Sequence, residues 1–113
     1  MELAITDEFM KQMLVAAKSY CVLILRTGPK WNQPGRDKII WEHGRRNFEL
    51  RAKGTLSIVC PVTDGGDIKG ICIFNTDAEK ARHIYDEDPG VLAGLFVFEV
   101  HPCRGFPGDS LSK

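Results

Sequence analysis

The order of its strand-like and helix-like segments constrains this 113-residue chain more than any other feature. Short apolar runs at 20–26, 56–62, 68–74 and 95–100 have the length and composition of buried strands. The second and third runs are joined by 64–67, Asp-Gly-Gly-Asp, which is typical of a hairpin turn. The sequence therefore predicts four strands, two of them adjacent and antiparallel.

Two amphipathic helices are predicted between these strands. The first begins after Pro34 and ends near Gly54, and it carries one helical stripe: Ile40, His43, Asn47 and Leu50. The second begins near Thr76, where Thr-Asp-Ala-Glu fits the capping-box pattern. It ends at Asp88, because a residue before proline is disfavoured in helical geometry.

A further amphipathic helix is predicted at 7–18, with Asp7 as its N-cap. Its apolar residues recur at helical spacing: Phe9, Met10, Met13, Leu14 and Ala17. We expect this helix to pack on the domain or on a second copy. The chain then divides into an N-terminal helical segment, 1–19, and one domain, 20–113.

The order β-α-β-β-α-β, after the extra helix, predicts an α+β protein with the ferredoxin-like split βαβ arrangement. In this arrangement both helices cover one face of an antiparallel sheet. The opposite face would carry apolar side chains with nothing over them. Because the simplest cover is the same face of a second copy, we expect a homodimer or a higher homo-oligomer.

Composition disfavours several classes of partner. Fifteen basic and fifteen acidic residues cancel, so nucleic acid and membrane surfaces are not expected to attract the chain. No apolar run approaches the roughly 20 residues that cross a bilayer. Acidic residues at Glu2, Asp7 and Glu8 differ from the basic start of a signal peptide, which predicts a cytoplasmic protein.

A metal site or a disulfide framework is not predicted. The four cysteines form no CxxC pair, and three of them lie in apolar strand-like runs. The three histidines, at 43, 83 and 101, lack the short spacing of metal ligands. We therefore expect no metal and no cofactor.

Several short motifs, in this order and with these gaps, resemble the YciI-like (YCII-related) domain family from residue 20 to 108. They are Leu25–Pro29, His43, Gly54, Cys60-Pro61, Asp64–Gly66, Asp88–Gly94 and Glu99–Pro102. The resemblance implies a dimeric α+β barrel related to muconolactone isomerases. Some members of the family are reported as dehydrochlorinases of hydroxylated aromatic rings.

The resemblance also implies a pocket that holds His43, from the first helix, and Asp88, from the Asp-Pro turn. A carboxylate bonded to one imidazole nitrogen fixes the tautomer and leaves the other nitrogen as a base. The structural alternative is a core histidine that satisfies one hydrogen bond, with Asp88 ending the second helix. Two positions depart from the family pattern: Asn47 replaces an apolar residue, and Cys60 replaces a glycine. Asn47 either adds a polar group to the predicted pocket or marks a different helix environment, and Cys60 either narrows the pocket or places a thiol at its wall.

Two further residues are candidates for substrate binding. Arg26, at the end of the first strand, suits an anionic substrate group, or else it is a solvated strand-end charge. Trp31 suits stacking on a flat substrate, or else it packs in the core. Cys60 is not expected to act as a nucleophile, because an apolar strand leaves a thiol inert.

Two classes of function stay open on these residues. The first is a cofactor-independent enzyme of lyase or isomerase type, in which a His43/Asp88 pair moves a proton on a small cyclic or aromatic acid. The second is a non-catalytic dimeric module that binds a metabolite or serves as an accessory protein. The first predicts that His43 borders a cavity of ligand size, and the second predicts a closed site.

Overall fold

The computed structural model describes residues 3–113, so Met1 and Glu2, which begin the predicted N-terminal segment, lie outside the described residues. The elements along the chain are α1 Asp7–Ala16, β1 Lys18–Thr27, α2 Arg36–Ala52, β2 Leu56–Pro61, β3 Ile68–Phe74, α3 Ala78–Asp86, α4 Pro89–Leu92 and β4 Phe96–Gly105. The strands form one antiparallel sheet in the order β2-β3-β1-β4. This topology confirms the predicted ferredoxin-like α+β fold.

The central strand β1 has two different faces. Cys21, Leu23 and Leu25 point toward α2 and α3 and are buried. The alternating residues Val22 and Ile24 point the other way and are half-buried. Because side chains alternate along a strand, β1 supplies both the core and the face that the helices leave uncovered.

The core lies between the sheet and α3. Ala81 and Tyr85 of α3 are fully buried, and the Tyr85 ring meets Phe74 edge-on at 5.8 Å between ring centroids. Phe98 of β4 packs on the other side of Tyr85, at 5.5 Å. Such edge-to-face contacts are favoured by the ring quadrupoles. These contacts hold α3, and the chain segment that leads from it to Asp88, against the sheet.

Helix α1 differs from the prediction in its cap, and of the two predicted packings it does not show the one on its own domain. Its N-cap is Thr6, whose hydroxyl accepts a hydrogen bond from the Phe9 backbone N–H at 3.1 Å, and Asp7 is the first helical residue instead. None of its residues is buried, and Leu14 is 56% exposed. Helix α1 therefore does not cover the sheet of its own domain.

Other boundaries also differ from the prediction: α1 ends at Ala16, β1 begins at Lys18 and α3 ends at Asp86. Asp77, rather than Thr76, caps α3, because its carboxylate accepts from the Lys80 backbone N–H at 2.8 Å. Strand β4 continues past His101-Pro102, where it was expected to end, to Gly105. Proline is compatible with this position because β4 is an edge strand, in which every second N–H group points away from the sheet.

The uncovered sheet face is mostly aliphatic. Its centre is formed by four side chains that are half-buried or exposed: Val22, Ile24, Ile71 and Ile73. Among the described residues, no helix is long and apolar enough to cross a membrane.

We predict that Cys72 in the core resists alkylation. Burial raises the pKa of its thiol to about 11, so at pH 8 only roughly one molecule in a thousand carries the thiolate. Iodoacetamide at pH 8 should modify the half-exposed Cys103 and leave Cys72 intact, as read by peptide mass spectrometry. In guanidinium chloride all four cysteines should react. Equal modification of Cys72 and Cys103 in the folded protein would contradict this packing.

Candidate active site

The structure brings His43 and Asp88 together. His43 Nδ1 lies 2.9 Å from both carboxylate oxygens of Asp88. Asp88 is fully buried and His43 is 8% exposed. The two residues are 45 positions apart in the chain, so the contact depends on the fold.

Asp88 is held by backbone groups at the junction of α3 and α4. Its carboxylate accepts from the N–H groups of Gly90 at 2.9 Å and Val91 at 3.2 Å, which makes it the N-cap of α4. The short helix α4 was not predicted; Pro89 occupies its first turn, where a missing N–H costs nothing. Asp88 therefore follows the C-cap of α3, caps α4 and still has an oxygen for His43.

The Arg46 guanidinium is the nearest cation to this carboxylate. Its Nη1 lies 4.0 Å from Asp88 Oδ1, while its Nη2 donates to the Ile84 carbonyl at 2.6 Å. Arg46 Nη1 is buried and makes no hydrogen bond within the described residues. The positive charge offsets part of the cost of burying Asp88.

The second ring nitrogen of His43 faces Asn47. Tyr85 donates its hydroxyl hydrogen to Asn47 Oδ1 at 2.8 Å, so the amide nitrogen of Asn47 points to His43 Nε2 at 3.4 Å. Burial raises the pKa of the Tyr85 hydroxyl, so this group stays a donor. The network thus suits a neutral His43 that donates through Nδ1 and carries its lone pair on Nε2.

A cavity of about 290 Å³ borders this network. It is at the small end of the range for ligand sites. Its lining is mostly apolar or aromatic, with a few polar side chains: Leu25, Trp31, Ile40, His43, Gly44, Asn47, Phe48, Val59, Cys60, Pro61, Lys69, Gly70, Cys72, Tyr85 and Phe96. The Phe96 ring lies 4.8 Å from His43 and 5.7 Å from Trp31, so it joins the two along one wall.

Of the predicted site residues, His43, Trp31, Asn47 and Cys60 line the cavity, and Asp88 lies behind His43. Arg26 is not among them. It points to the uncovered sheet face, where its Nε donates to Glu99 at 2.9 Å and its Nη1 to Asp67 at 3.3 Å.

These contacts hold Arg26 outside the cavity. The hydrogen bond that Arg26 donates to Glu99, followed by the one that it donates to Asp67, raises the pKa of Arg26. Glu99 is also bonded to His101, at 2.8 Å, so its pKa is lowered first by His101 and then by Arg26. Arg26 belongs to a surface ion-pair network, and the structure does not support it as the residue that binds an anion in the cavity.

Two cavity residues were missed by sequence reasoning. Tyr85, in the second predicted helix, was not singled out. Lys69 was not singled out because strand alternation gives it no special position. Its place in the cavity depends on the register of β1 against β3, which the sequence does not display.

No family model and no curated protein matches this chain. Among solved structures, the chain is similar to 5-chloro-2-hydroxyhydroquinone dehydrochlorinase (TftG) from Burkholderia phenoliruptrix AC1100, in complex with 2,5-dihydroxybenzoquinone. The identity is 20%, the TM-score is 0.48, and the match covers 72% of this chain and 90% of that chain. Similarity at this level assigns neither a family nor a substrate, so the function is argued from the site.

We predict that Gly90→Ala disrupts the site and Gly44→Ala does not. A Cβ at position 90 would lie 2.5 Å from the buried Phe96 ring and 3.1 Å from Asp88 Oδ2. Overpacking of this kind costs about 1–3 kcal/mol of unfolding free energy. At position 44 a Cβ meets nothing within 4 Å, so the helix should gain about 0.5–1 kcal/mol.

Urea unfolding of both variants measures the two changes, with the midpoint compared at constant slope. A Gly90→Ala protein as stable as the wild type would show that Phe96 and Asp88 are not held as described.

Proposed function

We propose that this protein is a cofactor-independent enzyme of lyase or isomerase type, in which His43 moves a proton on a small cyclic or aromatic acid. The observation that carries the proposal is a buried His43/Asp88 pair that borders a cavity of ligand size. The resemblance to the YCII-related family, proposed from the sequence motifs, implies the same pair.

In the proposed reaction, His43 Nε2 is the general base. It removes a proton from an sp³ ring carbon next to a carbonyl, as in a lactone or in the keto tautomer of a hydroxylated ring, and the electron pair of that C–H bond forms an enolate. The pair then either expels a leaving group or takes back a proton from His43 at a neighbouring carbon. Asp88 holds Nδ1–H and stabilises the imidazolium that forms.

The cavity supports this step in two ways. Its walls near His43 are aromatic, so a flat ring finds contact area there. The Asn47 amide is 3.4 Å from Nε2, a long hydrogen bond that a substrate can replace at little cost.

We predict that the protein exchanges a ring-carbon proton of a substrate for deuterium in D₂O. A panel of hydroxylated aromatic acids and unsaturated lactone acids would be followed by ¹H NMR. Because His43 is the proposed base and Asp88 its orienting partner, His43→Gln and Asp88→Asn should each lower the exchange rate on the order of 10²- to 10⁴-fold.

His83→Gln is the matched control, since His83 lies on α3 with its side chain 77% exposed and should leave exchange unchanged. Ring ¹⁵N shifts of His43 test the positioning role of Asp88: one tautomer in the wild type, and a mixture in Asp88→Asn. Exchange that survives His43→Gln would refute His43 as the base.

One observation favours a non-catalytic module instead. Both ring nitrogens of His43 already have partners, Asp88 and Asn47. In that case the cavity would bind a metabolite without turnover, and His43→Gln would reduce stability only. Ligand-induced shifts of cavity residues, together with no exchange for any member of the panel, would identify this alternative.

We also propose that two copies pair through their uncovered sheet faces. The aliphatic centre of this face is the kind of surface that a monomer seldom leaves exposed. Helix α1, whose Phe9 and Leu14 have no contact with their own core, would then pack on the partner. The partners of this protein would thus be a second copy of itself and a small molecule.

We predict that Ile73→Lys converts the protein to a monomer, because Ile73 lies between Val22 and Ile58 at the centre of that face. Light scattering after size exclusion measures the mass. Trp41→Lys is the control, since Trp41 is 70% exposed on α2, away from the sheet. A monomeric wild type, or a Trp41→Lys monomer, would exclude pairing through the sheet.

A further inference from the structure

Lys69 is an unexpected charge in an apolar cavity. Its ammonium lies 4.8 Å from the centre of the Trp31 ring, and both side chains line the cavity beside His43. Apart from His43, no other basic side chain and no carboxylate lines this cavity in the part of the chain that the structure describes. The lining therefore carries one positive charge and nothing to neutralise it.

A β-bulge is responsible for this position. Leu25 of β1 pairs with Gly70 of β3, but the next residue, Arg26, pairs with Ile68, so Lys69 is an extra residue with no partner on β1. In a regular strand Lys69 would point away from Gly70, to the uncovered sheet face. The bulge turns the side chain toward the helices, which is a known use of bulges beside functional sites.

The surroundings leave the ammonium available to a ligand. Across residues 3–113, no carboxylate lies within ion-pair distance of Lys69. Trp31 attracts the cation through its ring face but does not cancel its charge. A cation that loses water in a small apolar cavity gains most from an anion that enters with it.

We infer that Lys69 is the anion-binding residue of the cavity and selects a compact, singly charged aromatic acid. This inference rests on the proposed function and specifies its substrate class. The carboxylate would lie at Lys69, the ring along Trp31 and Phe96, and the reacting carbon at His43. Lys69 thus takes the role that the sequence had indicated for Arg26.

Binding of two matched probes tests the inference without turnover. The probes are 4-hydroxybenzoate and its neutral counterpart 4-hydroxybenzamide, titrated against ¹⁵N-labelled protein. The Trp31 indole signal reports the cavity, and Trp41, which lies outside it, is the internal control. The wild type should bind the acid more tightly than the amide.

Lys69→Met should weaken binding of the acid about 10- to 100-fold, as expected for loss of a charge-assisted hydrogen bond, and leave the amide unchanged. Lys69→Arg should retain most of the affinity for the acid. Lys53→Met, at the exposed C-cap of α2, should leave the affinity for both ligands unchanged.

Three results would overturn the inference: equal affinity of the wild type for acid and amide, equal weakening of both probes by Lys69→Met, or no Trp31 response to either probe. Each can occur while His43-dependent proton exchange persists, which would leave the proposed function standing. Conversely, acid-selective binding that depends on Lys69 but is accompanied by no exchange would support Lys69 and refute the enzyme.

Discussion

The site depends on the hydrogen bonds that the Asp88 carboxylate accepts. The carboxylate is fully buried, yet it accepts hydrogen bonds from two backbone N–H groups of α4 and one from the imidazole of His43. A buried anion is tolerated only when its oxygens are satisfied. The fold meets this condition by placing the first N–H groups of α4, the His43 imidazole of α2 and the Arg46 guanidinium around the carboxylate. Asp88 therefore caps a helix and holds His43 with the same side chain.

The sheet separates two kinds of electrostatics. On its uncovered face, Arg26 is bound by Glu99 and Asp67, and these exposed pairs are screened by solvent and contribute little to stability. On the helix side, Lys69 has no acidic partner among residues 3–113 and lies in an apolar cavity. The positive charge of Arg26 is therefore neutralised on the uncovered face, whereas that of Lys69 is left available on the helix side. The proposed anion site follows from this difference.

Most of the fold was predictable because period and turn chemistry are local. The hairpin at 64–67 and the glycine after α2 each follow from neighbouring residues. The errors were also local: Thr6 and Asp77 act as caps one residue away from the predicted positions, and α4 is too short to have a period of its own. The His43/Asp88 pair was expected from a family resemblance, whereas Lys69, which also lines the cavity, was not singled out.

By itself, the sequence determined the kinds and order of the elements, the amphipathic character of α1 and the aliphatic surplus on the sheet, because these depend on spacing along the chain. Only the tertiary structure decided that Asp88 meets His43 across 45 residues and that Asn47 is fixed by Tyr85. It also decided that a one-residue bulge moves Lys69 into the cavity while Arg26 stays outside. The physical reason is that strand register and helix packing are set by the whole core, and a shift of one residue reverses the face that a side chain occupies.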